Sequence, residues 1–163
     1  MPELTTLCYI NRGDDVLFIH KHSKDDPNAG KYLGIGGHFE YGETPEQWCL
    51  REIYEETGLD SGDLSSFTYR GIVTFVSDKY GVEYMHVFSA DYNTSREVVP
   101  GSCDEGELMW IPVSDIYDLP VWEGDRIMFD CLYKETDTGF FSLMLEYEGD
   151  RLAGSKKHTY RSH

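Results

Sequence analysis

The most constraining feature of this sequence is a helix whose start and end are both marked, between residues 44 and 58. Thr44 can accept a backbone hydrogen bond as the N-cap, Pro45 suits the first helical position, and Gln47 completes a capping box. Gly58 then supplies the left-handed residue that ends many helices. Three apolar residues on one side of this predicted helix are expected to face a core: Cys49, Leu50 and Ile53.

Apolar and alternating runs on both sides of this helix predict a fold that consists mainly of strands. Strands before and after helices, with hairpins among them, indicate a mixed sheet packed by helices instead of a strict βαβ alternation. The length of 163 residues suits one domain, which we place at 1–150, and the polar tail 151–163 is expected to fray. The predicted strands are residues 4–10, 16–20, 67–76, 82–90, 108–111 and 140–147, and a second helix runs from about 123 to 133.

The composition limits the partners of the chain. Acidic residues outnumber basic ones by 30 to 14, a formal net charge of −16, so the chain would repel a nucleic-acid polymer. A small phosphorylated ligand is compatible if metal ions supply the missing positive charge. No apolar run approaches the roughly 20 residues of a membrane span, and residues 1–6 have neither a basic start nor an apolar signal segment, so we do not expect export. Four scattered cysteines indicate reduced thiols. We therefore expect a cytoplasmic protein, a monomer or a homodimer, with neither a membrane nor a nucleic-acid polymer as partner.

Three carboxylates leave one face of the predicted helix. Glu52, Glu55 and Glu56 stand at positions i, i+3 and i+4. Two carboxylates about 4 Å apart repel by roughly 4 kcal/mol at an effective dielectric constant of about 20, so the cluster needs a counter-charge. Mg²⁺ suits such a site because it takes oxygen ligands, retains waters and bridges to substrate phosphates, and Mn²⁺ is an acceptable substitute. Arg51 lies beside this face and can orient or partly neutralise one carboxylate.

Residues 37–59 resemble the Nudix box, G-x5-E-x7-R-E-U-x-E-E-x-G-U, in which U is apolar. The resemblance can be followed over nearly the whole chain and is less specific outside the box. It implies an α+β protein, an α/β/α sandwich in which a mixed β-sheet is packed between helices. The match is complete at nine positions: Gly37, Glu43, Arg51, Glu52, Ile53, Glu55, Glu56, Gly58 and Leu59.

The same resemblance implies a hydrolase that uses water to cleave a nucleoside diphosphate linked to another group. Metals bridge the phosphates and a Glu acts as general base on the attacking water. In Nudix proteins the glycine at the position of Gly37 presents a main-chain carbonyl to the metal. Glu52 is our first choice for the base, Glu56 is a metal ligand, and Glu55 serves either role. The implied catalytic residues are Arg51, Glu52 and Glu55, and the implied metal ligands are Gly37, Glu52, Glu55, Glu56 and Glu105.

Outside the box, the chain is most similar to the MutT-type 8-oxo-dGTP diphosphatases. Residues 30–37 resemble the G-[RK]-W-x-G-x-G-G segment of those enzymes, and Glu105 falls where they supply a further carboxylate. Residues 121–125 resemble a W-x-x-D segment in which the Trp stacks on the base and the Asp reads its edge. Lys21 falls where a basic residue contacts phosphate. The implied substrate-binding residues are Lys21, Lys31, Leu33, Trp122 and Asp125.

Two departures from the MutT-type pattern bear on the base. Leu33 stands where the human-type enzyme has an Asn that hydrogen-bonds the purine, and Gly124 replaces the first of two adjacent Asp residues. The resemblance implies hydrolysis of a nucleoside triphosphate, such as 8-oxo-dGTP, to monophosphate and pyrophosphate. Pteridine triphosphates and nucleotide sugars are alternative substrates. A different class is a non-catalytic Nudix-fold ligand sensor, but such proteins usually lose box carboxylates and this chain keeps all of them.

Overall fold

The structure, a computed structural model, describes residues 1–96, 102–103, 106–135 and 139–161. The strands are β1 Glu3–Arg12, β2 Asp15–Lys21, β3 Tyr32–Leu33, β4 Ile35–His38, β5 Leu64–Ser77, β6 Gly81–Tyr92, β7 Ser102–Cys103, β8 Gly106–Pro112, β9 Phe140–Glu148 and β10 Arg151–Tyr160. The helices are α1 Pro45–Thr57 and α2 Asp125–Phe129, with 3-10 turns at Ser61–Asp63 and Val113–Asp118 and a π-helical turn at Asp130–Lys134.

All ten strands belong to one mixed sheet, as the sequence predicts. Its order is β10-β9-β5-β6-β1-β2-β8-β7, with β3 paired to β2 and β4 paired to β1. The β1–β6 and β5–β9 pairs are parallel and the others are antiparallel. The strands β1 and β2 pair only beside their hairpin turn, at Asn11–Val16 and Arg12–Asp15, and β4 pairs with the first part of β1. This arrangement places the glycine-rich β4 between the first part of β1 and α1, which it also contacts.

Alternation along the central strands gives the sheet two buried faces. In β1, Cys8 and Ile10 point to the face that α1 covers, whereas Tyr9 points to the face that α2 covers. The α1 side of the core contains Cys49 and Ile53 from the helix, as predicted. Helices therefore pack on both faces of the mixed sheet, which confirms the predicted α/β/α arrangement. In β2, Leu17 and Ile19 face α1, and Val16 and Phe18 face α2.

The start and the end of α1 are those that the sequence predicts. The Thr44 hydroxyl accepts from the Gln47 backbone N–H at 3.1 Å, and the Gln47 side chain accepts from the Thr44 N–H at 3.0 Å. Gly58 has a φ of 78° and donates to the Tyr54 carbonyl. The buried face of the helix differs in one respect, because Trp48 is fully buried and Leu50 is only partly buried.

Two segments near the C-terminus differ from the sequence-based expectation. The second helix is short, and its last turn is π-helical, with the Glu135 N–H donating to the Asp130 carbonyl at 3.0 Å. Residues 151–160 form β10, paired with β9, so the expectation that this part of the tail frays is wrong. The strand is held by backbone hydrogen bonds at a sheet edge and is mostly exposed, so its side chains lack the apolar alternation that reveals strands in a sequence.

Within the described ranges, neither helix is long and apolar enough to cross a membrane. The cysteines whose side chains the structure describes, Cys8, Cys49 and Cys131, are buried and free.

Candidate active site

A cleft of about 930 Å³ lies between the box segment and the chain that leads into α2. Its walls come from α1, β4, the loop between β2 and β3, the outer parts of β1 and β6, and the start of α2. Its volume falls in the range of about 300–1,000 Å³ that is usual for small-molecule sites. Seven of the site residues implied by the sequence line this cleft together: Lys21, Leu33, Gly37, Glu52, Glu56, Trp122 and Asp125.

Three of the other implied site residues, Arg51, Glu55 and Lys31, are not part of the cleft lining. Arg51 and Glu55 contact each other on α1, and Lys31 packs over Trp122. Glu105 lies outside the described residues, so its implied metal-binding role stays a prediction.

Close approach of β4 to α1 brings the Gly37 backbone against the Glu52 carboxylate. A Cβ atom at position 37 would lie 2.5 Å from Glu52 Cδ and 2.6–2.7 Å from its two carboxylate oxygens. Any residue with a side chain would therefore displace the carboxylate, so glycine is required at this position. The contact places a main-chain segment, Glu52 and the half-buried Glu56 on the same side of the cleft. These groups offer oxygen donors only, which is the donor set that suits Mg²⁺.

Arg51 is the centre of a network of charged side chains that includes Glu52. Its Nε donates to both carboxylate oxygens of Glu43 at 3.0 Å, and its Nη1 donates to Glu52 and Glu55 at 3.2 Å. These hydrogen bonds, above all the one that Arg51 donates to Glu43, raise the pKa of Arg51 further above its already high value, so it is a permanent cation. The guanidinium donates to the Glu52 carboxylate and partly offsets the repulsion among the box carboxylates.

Trp122 lies at the other end of the cleft and is only 7% exposed. Its Nε1 donates to the Asn28 side-chain carbonyl at 2.7 Å, and its ring makes edge contacts with Phe75 and Tyr147 at centroid distances of 5.5 and 5.2 Å. Lys31 Nζ lies 4.5 Å from the ring centroid, a cation–π contact that covers one face of the indole. Lys31 therefore packs against the aromatic end of the cleft without being part of its lining.

Asp125 begins α2 and is buried beside Trp122. Burial raises the pKa of its carboxyl to about 7, although a hydrogen bond from the Trp122 backbone and the charges of Arg126 and Lys31 act in the opposite direction. A carboxyl with this pKa is a mixture of neutral and ionised forms near neutral pH. It can therefore donate as well as accept a hydrogen bond in the cleft.

Three of the polar cleft residues that the sequence analysis missed make specific contacts there. Asn28 binds the Trp122 indole, and Asp26 lies 3.9 Å from the Lys21 ammonium. Glu83 on β6 accepts from the Thr5 hydroxyl at 2.9 Å, and burial raises the pKa of its carboxyl. The loop composition around residues 25–30 marks a turn, but no local pattern indicates which distant residues that turn will contact.

The replacement of an Asp by Gly124 has a packing reason in this structure. A Cβ atom there would lie 2.6 Å from Leu145 Cδ1 and 2.8 Å from the Tyr147 hydroxyl. The Gly124 N–H also donates to that hydroxyl at 2.7 Å. The strand β9 therefore occupies the space that a side chain at position 124 would need.

Comparison with known proteins agrees with this geometry. The family model for the NUDIX domain matches residues 1–131. The uncharacterized Nudix hydrolase YvcI of Bacillus subtilis is 32% identical over 149 residues, 88% of either chain. The oxidized purine nucleoside triphosphate hydrolase of Danio rerio is 31% identical over 119 residues, which cover 69% of this chain and 70% of the relative.

Two further comparisons concern a longer protein and a solved structure. The NAD-capped RNA hydrolase NudC of Haemophilus influenzae is 38% identical over 114 residues, 70% of this chain but 39% of that protein. The crystal structure of the MutT mutator protein of Bacillus halodurans superposes with a TM-score of 0.75 at 24% identity, over 95% of this chain and 97% of that one. The fold and the box thus define a hydrolase of acid anhydrides. The chain belongs to the Nudix family, enzymes that act on nucleoside diphosphate derivatives and generally use divalent metal cations.

Proposed function

We propose that the protein is a Mg²⁺-dependent diphosphatase that hydrolyses a nucleoside triphosphate, with an oxidised purine such as 8-oxo-dGTP preferred, to monophosphate and pyrophosphate. One observation carries the proposal: the same cleft joins the box carboxylates Glu52 and Glu56 to Trp122 and the buried Asp125. A nucleotide needs this combination, with cation-binding oxygens for its phosphates and an aromatic, hydrogen-bonding end for its base.

The box end of the cleft is assigned to the phosphates. Glu56 and the Gly37 carbonyl would hold the cation, and Lys21, which lines the same cleft, would contact a phosphate oxygen. The chemistry that bound Mg²⁺ supplies is neutralisation of phosphate charge and a lowered pKa of water. Glu52 would accept the proton of the attacking water as general base. Its carboxylate is 14% exposed and is oriented by Arg51 Nη1 at 3.2 Å.

The aromatic end of the cleft is assigned to the base. Base–aromatic stacking contributes about 1–3 kcal/mol per base, and the Trp122 face not covered by Lys31 would supply it. Asp125 would read the purine edge, because a carboxyl that is partly protonated can pair with the altered donor pattern of an oxidised purine. Leu33 lies in the same cleft and would contribute apolar contact.

The relatives support two substrate classes. Similarity to the oxidized purine nucleoside triphosphate hydrolase of Danio rerio favours the proposed substrate. Similarity to NudC favours a second candidate, a dinucleotide of the NAD type, although this chain matches only 39% of that protein. Cytoplasmic location and a monomeric or homodimeric state stay predictions.

A substrate panel with Mg²⁺ tests the proposal. It comprises dGTP, 8-oxo-dGTP, NAD, a pteridine triphosphate and a nucleotide sugar, each assayed with Mg²⁺ and with chelator. The proposal requires the highest kcat/KM for 8-oxo-dGTP and loss of activity without the metal. Higher kcat/KM for NAD would favour the second candidate. Glu56→Gln is the control that separates activity of this cleft from a contaminating phosphatase.

A further inference from the structure

We propose a second divalent-cation site outside the cleft, formed by His20, His22 and Glu107, that binds Zn²⁺ or a similar transition metal. The site is independent of the proposed function, because none of its three residues belongs to the box or lines the cleft.

Strand pairing brings the three side chains together. His20 lies on β2, His22 follows two residues later, and Glu107 on β8 is the cross-strand partner of His20. One ligand atom from each residue lies within 4.8 Å of the other two. The His22 Nε2 is 3.7 Å from Glu107 Oε2, and the two imidazole centroids are 5.2 Å apart.

The orientation of His20 is fixed by two contacts. Its ring stacks on Tyr32 at a centroid distance of 4.2 Å and an interplanar angle of 6°. Its Nε2 lies 3.2 Å from the Gly30 carbonyl oxygen, which can only accept, so Nε2 is the donor in this contact and Nδ1 is the ring nitrogen left to bind a metal. Metal-binding histidines usually donate their other ring N–H to a carbonyl or carboxylate in this way. His20 thus has the support from a carbonyl that a metal ligand needs.

The donor set selects the cation. Two imidazole nitrogens and one carboxylate are a common ligand set for Zn²⁺, with a fourth position for water. Mg²⁺ prefers an all-oxygen environment, so it would occupy the box and leave the histidine site to a softer metal. Tetrahedral Zn²⁺ with bonds of about 2.0–2.2 Å places its ligand atoms roughly 3.3–3.6 Å apart. The observed 3.7 Å between His22 and Glu107 is close to this, and both side chains are more than half exposed and can turn.

A metal ion at this position would restrain the start of the loop between β2 and β3. His20 precedes Lys21, and its ring holds the Gly30 carbonyl at the far end of the loop. Between them lie Asp26 and Asn28, which contact Lys21 and Trp122 in the cleft. The proposed site therefore supports a wall of the cleft from outside. The alternative is that His22 and Glu107 form only an exposed ion pair.

Zn²⁺ titration in the presence of millimolar Mg²⁺ distinguishes the two interpretations. Isothermal titration calorimetry without substrate is applied to the wild type, His22→Ala, Glu107→Gln and His20→Ala, and to two controls. The controls are His158→Ala, an exposed histidine on β10, and Glu56→Gln in the box. We expect one Zn²⁺ site in the wild type and in both controls, with affinity at least about tenfold weaker in the three site variants.

Three results would overturn the proposal: no Zn²⁺ binding by the wild type, wild-type affinity in both His22→Ala and Glu107→Gln, or binding lost only in Glu56→Gln. His22 and Glu107 are exposed, so their substitution leaves the fold intact, and circular dichroism of each variant verifies this. Because no substrate is present, failure of this site leaves the proposed hydrolysis untouched, and failure of the hydrolysis leaves this site untouched.

Discussion

Arg51 on α1 binds Glu43, the residue before the N-cap of that helix, and its Nε donates to both carboxylate oxygens at 3.0 Å. The same guanidinium reaches Glu52 and Glu55 through Nη1 at 3.2 Å. Charge-assisted hydrogen bonds from one fork to several carboxylates are geometrically demanding. Arg51 does not line the cleft, so we expect it to act by orienting Glu52, the role proposed for it from the sequence, and by stabilising α1.

Replacing Arg51 by Lys tests this positioning role. A lysine keeps the charge but loses the planar fork, so the network loses hydrogen bonds of about 1.5–3 kcal/mol each. We expect the melting temperature to fall by roughly 5 °C or more, since 1 kcal/mol corresponds to about 2–4 °C in a domain of this size. The matched control is Arg151→Lys, at an exposed pair with Glu148, which should change the melting temperature by less than about 1 °C. Equal shifts in the two variants would contradict the assignment.

The two adjacent carboxylates at the end of the box should differ in importance. Glu56 is half-buried and lines the cleft, whereas Glu55 is 54% exposed and pairs with Arg51. We expect Glu56→Gln to lower kcat by at least about 100-fold, the scale of a lost metal or acid–base role. Glu55→Gln should lower it less. Steady-state kinetics in Mg²⁺ measure both, and full activity of Glu56→Gln would remove Glu56 from the site.

Mg²⁺ should stabilise the folded protein. The box carboxylates repel one another, and a ligand that binds only the folded state adds about 1.4 kcal/mol at ten times its Kd. We expect the melting temperature to rise with millimolar Mg²⁺ in the wild type and to rise much less in Glu56→Gln. An identical response of the two proteins would mean that Mg²⁺ acts elsewhere.

Asp125 should make stability fall as the pH rises from about 4 to 7. The pKa of the Asp125 carboxyl is about 7 in the folded protein, against an ordinary value of 3.8, so in this window the folded protein holds a proton that the unfolded chain has lost. Asp125→Asn removes this dependence and should be more stable than the wild type at pH 8, by roughly 2–4 kcal/mol. Urea unfolding at pH 5 and pH 8 measures it, with the exposed neighbour Glu123→Gln as control. If the difference in the free energy of unfolding between the wild type and Asp125→Asn is the same at both pH values, the assignment is wrong.

The aromatic end of the cleft should control KM and base preference. We expect Trp122→Ala to raise KM for purine triphosphates at least tenfold, in line with a stacking contribution of about 1–3 kcal/mol. Asp125→Ala should mainly abolish the preference for the oxidised base. Trp110→Ala is the matched control, because Trp110 on β8 is partly buried against Tyr92 and is not part of the cleft lining. Wild-type KM and base preference in both cleft variants would mean that the base is bound elsewhere.

The box could be predicted from the sequence because its determinants are local. The capping box spans Thr44 to Gln47, and Glu52 and Glu56 are one helical turn apart, so short-range geometry alone places them. The two sheet faces were not predicted, because β2 is apolar on both sides, with Leu17 and Ile19 on the α1 side and Val16 and Phe18 on the α2 side.

The rest of the cleft depends on contacts between distant residues. The Trp122–Asn28 hydrogen bond joins residues 94 positions apart, and the packing at Gly124 depends on Leu145 and Tyr147 in β9. The strand formed by residues 151–160 was also missed, because an exposed edge strand is held by backbone pairing with its neighbour and needs no apolar pattern.

Product analysis in ¹⁸O-labelled water tests the central claim most directly. The wild type and the Glu56→Gln variant are incubated in parallel with 8-oxo-dGTP and Mg²⁺. The products are separated, and their masses are measured by mass spectrometry. We predict that the wild type releases nucleoside monophosphate and pyrophosphate in equal amounts, and that one of these two products carries one ¹⁸O atom. The Glu56→Gln variant should release no more than a trace of either product. Release of orthophosphate and nucleoside diphosphate, or equal turnover by Glu56→Gln, would contradict the account.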